Sequence, residues 1–304
     1  HRRIRENDTI DVQVSPSFRP DKAIAIDTPD YREWLGKLET AADDKIDTYD
    51  KFMDALYSRI EFFNDMGCRA SDHGINEMFY AEADAEAAGA IFDKVIREES
   101  LSEDEVAQFK TYTLVQLAKK YNEYGWVMQL HIGPLRNNNS RMFKELGPDS
   151  GFDSINDQLV AQPLSRFLDR IDQEDALPKT ILYTLNPRDN IIMATMAGNF
   201  QGGGIPGKVQ FGTAWWFNDN YEGMREQMKT LANAGVFKNF IGMLTDSRSM
   251  LSFTRHEYFR RILCELLGEW VESGMVPDDR ELLKEYVEGI CYYNAKRYFG
   301  LESE

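Results

Sequence analysis

Hydrophobic positions along the chain form two kinds of pattern, and the first consists of short apolar runs. Six segments of strand length are mostly apolar, which is typical of strands covered on both faces. Most of them run into polar residues at their carboxyl ends. The segments are IDVQVSP (10–16), GCRASDH (67–73), GWVMQLHIG (125–133), KTILYTLNP (179–187), GKVQFGTAWW (207–216) and NFIGMLTDSR (239–248).

Helical patterns lie between the apolar runs. The clearest starts at Ser102, which forms a capping box with Glu105, continues with an apolar stripe that includes Phe109 and Leu117, and ends at Gly125. Strands that alternate with helices predict an α/β fold with parallel strands and right-handed crossovers. Other helices are expected at about 31–40, 43–65, 75–97, 154–170, 189–199, 221–233, 256–272 and 278–298.

The stretch 26–123 differs from the rest of the chain because it carries more than one helix for each strand. No linker rich in Pro, Gly or Ser separates it from the neighbouring segments. We therefore expect a single domain, 1–304, in which 26–123 forms helix-rich insertions on the α/β frame.

The ends of the predicted strands are where chemistry is expected. In a (β/α) barrel the loops that follow the strands converge on one mouth. Six strands are two short of a closed eight-stranded barrel. The strand ends supply Arg19, Asp21 and Lys22; Asp72 and His73; His131, Arg136 and Asn137; Asn186 and Arg188; Trp215 and Trp216; and Asp246 and Arg248.

Asp246 and Arg248 place an acid and a base directly after an apolar run. A carboxylate at a strand end can bind a divalent cation or act as a base. An Arg two residues further on points to the same side and offers a fork for a carboxylate or phosphate. The alternative is a structural ion pair that caps the next helix, and the spacing alone favours neither interpretation.

His131 and the two adjacent tryptophans are the other candidates. A lone His near an apolar strand is more often structural, but the strand-end position of His131 and the polar RNNNSR that follows it favour a metal or substrate contact. Trp215 and Trp216 are expected to face opposite ways, one into the core and one into the mouth. An indole at the mouth would be a platform for a sugar-like ring.

Composition limits the classes of partner. The net charge of -16 argues against nucleic acid and anionic membranes, which call for clustered Lys and Arg. The three cysteines have no CxxC spacing, so neither a disulfide framework nor a thiolate zinc site is expected, and a reducing, cytoplasmic setting is the default. No segment approaches the ~18 uninterrupted apolar residues that span a bilayer.

Two familiar motifs are only partly matched. GGGIPGKV (202–209) fits GxGxxG, but its glycines precede a strand, whereas phosphate-binding loops follow one, so a strand-entry loop is expected. HEYFR (256–260) lacks the second His of HExxH and is expected to begin a helix.

Several long segments resemble the bacterial uronate isomerases, a divergent branch of the amidohydrolase superfamily of metal-dependent barrels. The likeness runs from about VSPSFRPDKA to the carboxyl terminus. The segments that carry it are LHIGPLRNNNSRMFKELGPDSGFDSIND, KTILYTLNPRDN, GNFQGGGIPGKVQFGTAWWFND and GMLTDSRSMLSFTRHEYFRRILC.

The resemblance implies a (β/α)8 TIM barrel and an aldose–ketose isomerisation through an enediol, between D-glucuronate and D-fructuronate and between D-galacturonate and D-tagaturonate. It implies that Asp246, Asp72 and His131 are catalytic and that Arg19, Arg248 and Trp215 bind the sugar acid. It also implies a divalent metal, with zinc the expected ion, held by Asp246 and His131.

The chain departs from the family at its start. The family opens its barrel with an HxH strand that supplies two metal ligands and continues with a His-Tyr pair, and this chain has neither. We therefore expect an incomplete barrel of about six strands with two open edges, a metal site short of ligands, and little activity from residues 1–304 alone.

Two alternatives remain at this stage. A metal-dependent hydrolase of the same superfamily would use Asp246 to activate water, although TDSR and RNNNSR are typical of the isomerases. A non-catalytic fragment would instead bind partners, or further copies of itself, through open strand edges. The isomerase interpretation predicts a small sugar acid as the ligand, and neither nucleic acid nor membrane.

Overall fold

The computed structural model of the protein describes residues 1–7, 9, 12–244, 246, 247 and 249–301. Its strands are β1 (Ala70–Ile75), β2 (Val127–Ile132), β3 (Pro134–Leu135), β4 (Ser154–Ile155), β5 (Lys179–Thr184) and β6 (Val209–Phe211). Its helices are α1 (Arg2–Arg5), α2 (Asp21–Ile24), α3 (Tyr31–Ala42), α4 (Tyr49–Asp65), α5 (Ala85–Ile96), α6 (Glu103–Glu123), α7 (Ser140–Leu146), α8 (Ala161–Asp172), α9 (Asn190–Asn199), α10 (Tyr221–Ala234), α11 (Arg255–Glu272), α12 (Arg280–Glu288) and α13 (Asn294–Tyr298). Short 3₁₀ turns occupy Pro187–Asp189, Trp216–Asn218, Phe237–Asn239 and Met250–Thr254, and Gly289–Tyr293 is a π-helical turn.

Four strands form the main sheet, in the order β1-β2-β5-β6. The sheet order follows the chain order, as it does when helices connect neighbouring parallel strands. β5 and β6 are parallel, with Thr180 opposite Val209 and Leu182 opposite Phe211. The short strands β3 and β4 form a separate antiparallel ribbon. The predicted α/β fold with a parallel sheet is therefore confirmed.

The chain divides into two compact units. Unit 1 comprises His1–Gly74, Met78–Gln129 and Gln162–Lys179, and unit 2 comprises Ile75–Glu77, Leu130–Ala161 and Thr180–Glu304. Nearly all of the helix-rich stretch 26–123 belongs to unit 1. The single-domain organisation remains a prediction. Within the described ranges, no helix is both long and apolar enough to cross a bilayer.

An aromatic cluster fills the core of unit 1. Phe52 and Phe92 have ring centroids 5.2 Å apart, and Tyr49 meets Phe109 edge to face at 5.8 Å. The Tyr49 hydroxyl lies 3.1 Å from the Thr113 hydroxyl, so its polar end has a partner inside the core. Replacing one buried ring of this kind by Ala typically costs about 3–5 kcal/mol. These contacts hold the helices α4, α5 and α6 together, and Trp34 adds α3 through an edge-to-face contact with Phe52 at 6.4 Å.

The predicted capping box at the start of α6 is confirmed. Ser102 Oγ accepts from Glu105 N at 3.3 Å, and Glu105 Oε2 accepts from Ser102 N at 2.9 Å. Other helix starts were placed too early by the sequence pattern. The helix expected at 75–97 begins at Ala85, because Asp84 caps it through the Ala87 N–H, and the helix expected at 154–170 begins at Ala161. The short α7 was missed.

The strand predicted at 10–16 is absent from residues 12–16, and residues 10 and 11 lie outside the described residues. Pairing is limited to a single parallel bridge between Phe18 and Ser71. Phe18 N donates to Ala70 O at 3.0 Å, and Asp72 N donates to Phe18 O at 2.9 Å. In a parallel ladder alternate residues face the same neighbour, so Pro16 and Pro20, which lack N–H groups, stop the pairing on both sides of Phe18.

The strand predicted at 239–248 is also wrong over the part that is described. Phe240, Ile241 and Met243 are buried as expected. However, side chains from other segments, and not a neighbouring strand, supply the hydrogen bonds to the backbone of Phe240 and Ile241. Ile241 N donates to Gln210 Oε1 at 3.3 Å, and Asn294 Nδ2 donates to Phe240 O at 2.8 Å. The apolar run therefore predicted burial correctly and strand pairing incorrectly.

Glu105 provides a test of the α6 start. Contact with Lys94, aided by hydrogen bonds from Ser102, lowers the pKa of Glu105 from its ordinary 4.5 to about 2. The carboxylate therefore stabilises the fold at pH values above the unfolded pKa, and this stabilisation is lost as the pH falls through the folded pKa. We expect Glu105→Gln to lower the free energy of unfolding near neutral pH, by an amount that shrinks in acid. Urea unfolding at several pH values measures this, with Glu103→Gln as the control. A difference independent of pH would contradict it.

Gly242 is required by its surroundings, and Gly268 is a matched control. Gly242 has φ +73°, and a Cβ there would lie 2.1 Å from Ile290 O, whereas a Cβ on Gly268, which lies within α11, meets nothing within 4 Å. We expect Gly242→Ala to lower the free energy of unfolding by more than about 1 kcal/mol. Gly268→Ala should raise it by about 0.5–1 kcal/mol, because Ala favours helix. Urea denaturation measures both, and equal effects would be inconsistent with this account.

Candidate active site

Unit 1 brings two of the predicted site residues, Arg19 and Asp72, into direct contact. Arg19 Nη1 donates to Asp72 Oδ2 at 2.9 Å, and Arg19 Nε donates to Asp21 Oδ2 at 2.8 Å. Asp72 lies in β1 and Arg19 directly after the Phe18 bridge, so the bridge sets their separation. The two residues meet as expected, but not at strand ends: Asp72 lies within β1, and Arg19 follows a single bridge residue.

Gly74 and Asp21 fix the geometry of this ion-pair network. Gly74 N donates to Asp21 Oδ1 at 3.1 Å, and a Cβ on Gly74 would come within 2.7 Å of Arg19 Nη2. One guanidinium between two carboxylates carries a net charge of about -1. The side chain of Arg19 is half exposed, whereas that of Asp72 is 20% exposed. The network therefore holds Asp72 in one orientation at the surface of unit 1.

A cavity of about 500 Å³ lies beside this network in unit 1. Its lining includes the apolar side chains of Trp34 and Phe63 together with Arg19, Lys22 and Arg59. Lys22 is paired with Asp30 at 2.8 Å. The cavity wall is thus mostly apolar, with cationic groups beside it.

Unit 2 brings His131 and Trp215 together. The Trp215 ring meets His131 edge to face, with centroids 4.6 Å apart. On β5, Tyr183 stacks on His131 at 4.2 Å with an angle of 4° between the planes. Tyr183 is buried, and a Cβ on Gly212 would lie 2.4 Å from its ring. His131 is therefore positioned by aromatic rings on neighbouring chain segments.

Tyr183 was not identified from the sequence. An aromatic residue inside the apolar run KTILYTL is most simply a core residue, and Tyr183 is indeed 1% exposed. The one available signal was Gly212, which directly follows β6 and removes a side chain where a ring from the adjacent strand needs space.

Trp215 and Trp216 do not divide between core and mouth. Trp215 is half-buried and Trp216 is exposed, because β6 ends at Phe211 and the strand alternation does not reach them. Trp216 has φ +50°. A residue other than glycine in this left-handed region costs of order 1 kcal/mol, so the surrounding contacts must compensate.

The side chains of the segment RNNNSR (136–141) mainly contact other parts of their own loop. Arg136 Nη1 donates to Asp153 Oδ2 at 2.9 Å, Asn137 N donates to Asp153 Oδ1 at 2.8 Å, and Asn139 caps α7 through the Met142 N–H. The guanidinium of Arg136 also lies over the Trp216 ring at 4.7 Å. This polar segment therefore builds and anchors the loop that carries α7.

The polar residues at the strand end around Asn186 likewise bind other parts of the protein. Asn186 accepts from Arg188 N at 3.1 Å and donates to Asn156 O at 3.1 Å. Arg188 Nε donates to Asp189 at 3.0 Å, and this hydrogen bond raises the pKa of Arg188. The two polar residues therefore order the turn that follows β5.

Of the predicted pair Asp246 and Arg248, the structure describes only Asp246. Asp246 is exposed and has φ +43°, and Arg248 lies outside the described residues. Their roles remain predictions.

The residues that the structure describes do not by themselves fit a divalent metal. Among them, no group of three or more His, Cys, Asp or Glu side chains could hold a metal ion. The two predicted ligands, Asp246 and His131, are fewer than the three protein ligands of an ordinary catalytic zinc site.

Comparison with known proteins gives one consistent family. The family model described as glucuronate isomerase matches residues 1–299. A uronate isomerase of Caldanaerobacter subterraneus subsp. tengcongensis is 56% identical over 301 residues, which cover 99% of this chain and 65% of that protein. A uronate isomerase of Bacillus licheniformis is 57% identical over 302 residues, which cover 99% of this chain and 64% of that protein.

A solved structure supports the same assignment. The crystal structure of a uronate isomerase from Thermotoga maritima superposes with a TM-score of 0.90 and 36% sequence identity, covering 98% of this chain and 64% of that one. The chain thus spans about 65% of the length of the curated relatives that it matches. Because the family model matches nearly the whole chain and the relatives are more than half identical, the chain belongs to the glucuronate isomerase family.

Proposed function

We propose that the protein acts as a uronate isomerase, interconverting D-glucuronate with D-fructuronate and D-galacturonate with D-tagaturonate. The observation that carries the proposal is the family match over residues 1–299, together with 56% identity to a uronate isomerase. The reaction moves a proton between C2 and C1 of the sugar acid. It needs a group that transfers the proton, cations for the carboxylate, and stabilisation of the enediolate charge.

In unit 1, Asp72 is the proposed proton-transfer group and Arg19 the proposed contact to the sugar acid. The ion pair of 2.9 Å supports the first role, because a carboxylate held in one orientation can meet a C–H bond at a fixed angle. A guanidinium has five N–H donors, so Arg19 can bind more than one carboxylate. The half-exposed side chain of Arg19 leaves it accessible to an anion.

In unit 2, Trp215 is the proposed pocket wall and His131 the proposed donor to a substrate oxygen. The edge-to-face contact at 4.6 Å supports both roles, because it orients the imidazole and leaves an indole beside it. Such a face suits the C–H surface of a sugar ring. The stack on Tyr183 would keep the imidazole plane fixed during turnover.

Asp246 and Arg248 complete the proposal as a catalytic carboxylate and a further substrate-binding cation. A divalent metal, with zinc the expected ion, is proposed to share Asp246 and His131 with further ligands. The described residues do not form a full set of ligands for this metal. The roles proposed for Asp72, Arg19, Trp215 and His131 therefore depend only on these side chains. We further infer that the main sheet is part of the wall of a (β/α)8 barrel, which the parallel β5–β6 pair supports.

The test is turnover of both uronates. The chain can replace the matching 301 residues of the Caldanaerobacter relative, and the chimera can be compared with that relative. Proton NMR in D₂O should show ketose formation, and exchange of the transferred proton with solvent would appear as a weaker proton signal at the receiving carbon. A folded chimera that converts neither uronate would contradict the proposed function.

Asp72→Asn tests the residue assignment within the chimera. The amide keeps the shape of the side chain but cannot accept the proton, so we expect kcat to fall about 10²- to 10⁴-fold. Asp30→Asn, at an exposed carboxylate of the same unit that pairs with Lys22, is the control and should stay near the parent value. Initial rates measure both. Retained activity in Asp72→Asn would remove this residue from the mechanism.

A further inference from the structure

The two sides of the loop between β2 and β4 are held together by several contacts. The ribbon of β3 and β4 closes its base, and Arg136 and Asp153 face each other where the ribbon opens. The Asp153 carboxylate is 7% exposed and accepts from both Arg136 Nη1 and Asn137 N. A buried carboxylate needs such partners, so the position of the guanidinium is determined by the loop itself.

The same guanidinium covers a strained residue. Arg136 lies 4.7 Å from the centroid of the Trp216 ring, and Phe217 stacks on that ring at 4.9 Å with an angle of 12° between the planes. Trp216 holds a left-handed backbone at φ +50°. Backbone strain of this kind persists only where neighbouring contacts maintain it. The cation–π contact with Arg136 is one such restraint.

The strained residue adjoins the proposed pocket wall. Trp216 and Trp215 have ring centroids 5.9 Å apart, and Trp215 meets His131 at 4.6 Å. A relaxation of the backbone at Trp216 would turn the preceding peptide and shift the Trp215 indole. Arg136 therefore connects, through two rings in direct contact, to the histidine.

We propose that Arg136 is a positioning residue for the isomerase site: held by Asp153, it keeps Trp216 in its left-handed conformation and thereby holds Trp215 against His131. The kinetic part of this inference rests on the proposed function, and the structural part does not. Arg141, in the same loop, is a natural contrast because its side chain is 77% exposed and its contact is Glu145 within α7, at 3.8 Å.

A double-mutant cycle tests the proposal in the chimera. Because small displacements of a pocket wall are costly, we expect Arg136→Met and Trp216→Leu each to lower kcat/KM roughly 10- to 100-fold. The double variant should lose no more than the larger single effect, because both substitutions break one connection. Trp216→Phe keeps an aromatic face for the guanidinium and should retain most of the activity. Arg141→Met is the matched control and should stay near the parent.

A readout that is independent of turnover uses the chain itself. Near-ultraviolet circular dichroism reports the fixed surroundings of tryptophan rings, and its tryptophan bands should weaken in Arg136→Met but not in Arg141→Met. Independent, multiplying losses in the cycle, or a lower melting temperature with unchanged kcat/KM, would overturn the proposal. If the parent chimera shows no turnover, the proposed function fails, and the dichroism decides alone: unchanged bands in Arg136→Met overturn the positioning role.

Discussion

The close approach of Gly212 to Tyr183 determines how the candidate site of unit 2 is built. A side chain at position 212 would lie 2.4 Å from the tyrosine ring, so the ring occupies space that only glycine leaves. From there the contacts continue without a gap: Tyr183 stacks on His131, and His131 meets Trp215. Each ring is placed by its neighbour. Interiors packed at this density transmit a displacement instead of absorbing it.

The two units place their functional candidates by different interactions. Unit 1 uses charge and hydrogen bonds, with Arg19 between the carboxylates of Asp21 and Asp72. Unit 2 uses ring stacking and one cation over an indole. The first arrangement is weakened by salt, which screens its charges, whereas the second depends on shape.

The sequence predicted the order of helices and strands well where periodicity reports local structure directly. The capping box at Ser102 and the parallel pairing of β5 with β6 are examples. The prediction of strands failed where the backbone hydrogen-bond partners are side chains far away in the sequence. The run 239–248 is apolar because it is buried, but Gln210 and Asn294 supply its partners, and no local pattern encodes that.

The site residues divide in the same way. Asp72 and Arg19 were expected at two strand ends and do touch, although Asp72 lies inside β1 and Arg19 follows a single bridge. Tyr183 was missed because, in an apolar strand, the sequence does not distinguish an aromatic residue of the core from one that contacts a functional site. The contact between Arg136 and Trp216 joins residues 80 positions apart in the sequence, so spacing could not have shown it.

The way side chains bind the backbone of the segment around Phe240 has a consequence for folding fidelity. A strand in a regular ladder can slide by two residues and recover equivalent hydrogen bonds. This segment has no equivalent position, because Asn294 binds both Lys238 O and Phe240 O, and Gly242 alone fits beneath Ile290 O. This segment therefore cannot slip in register, because its position is specified by individual contacts that do not repeat along the chain.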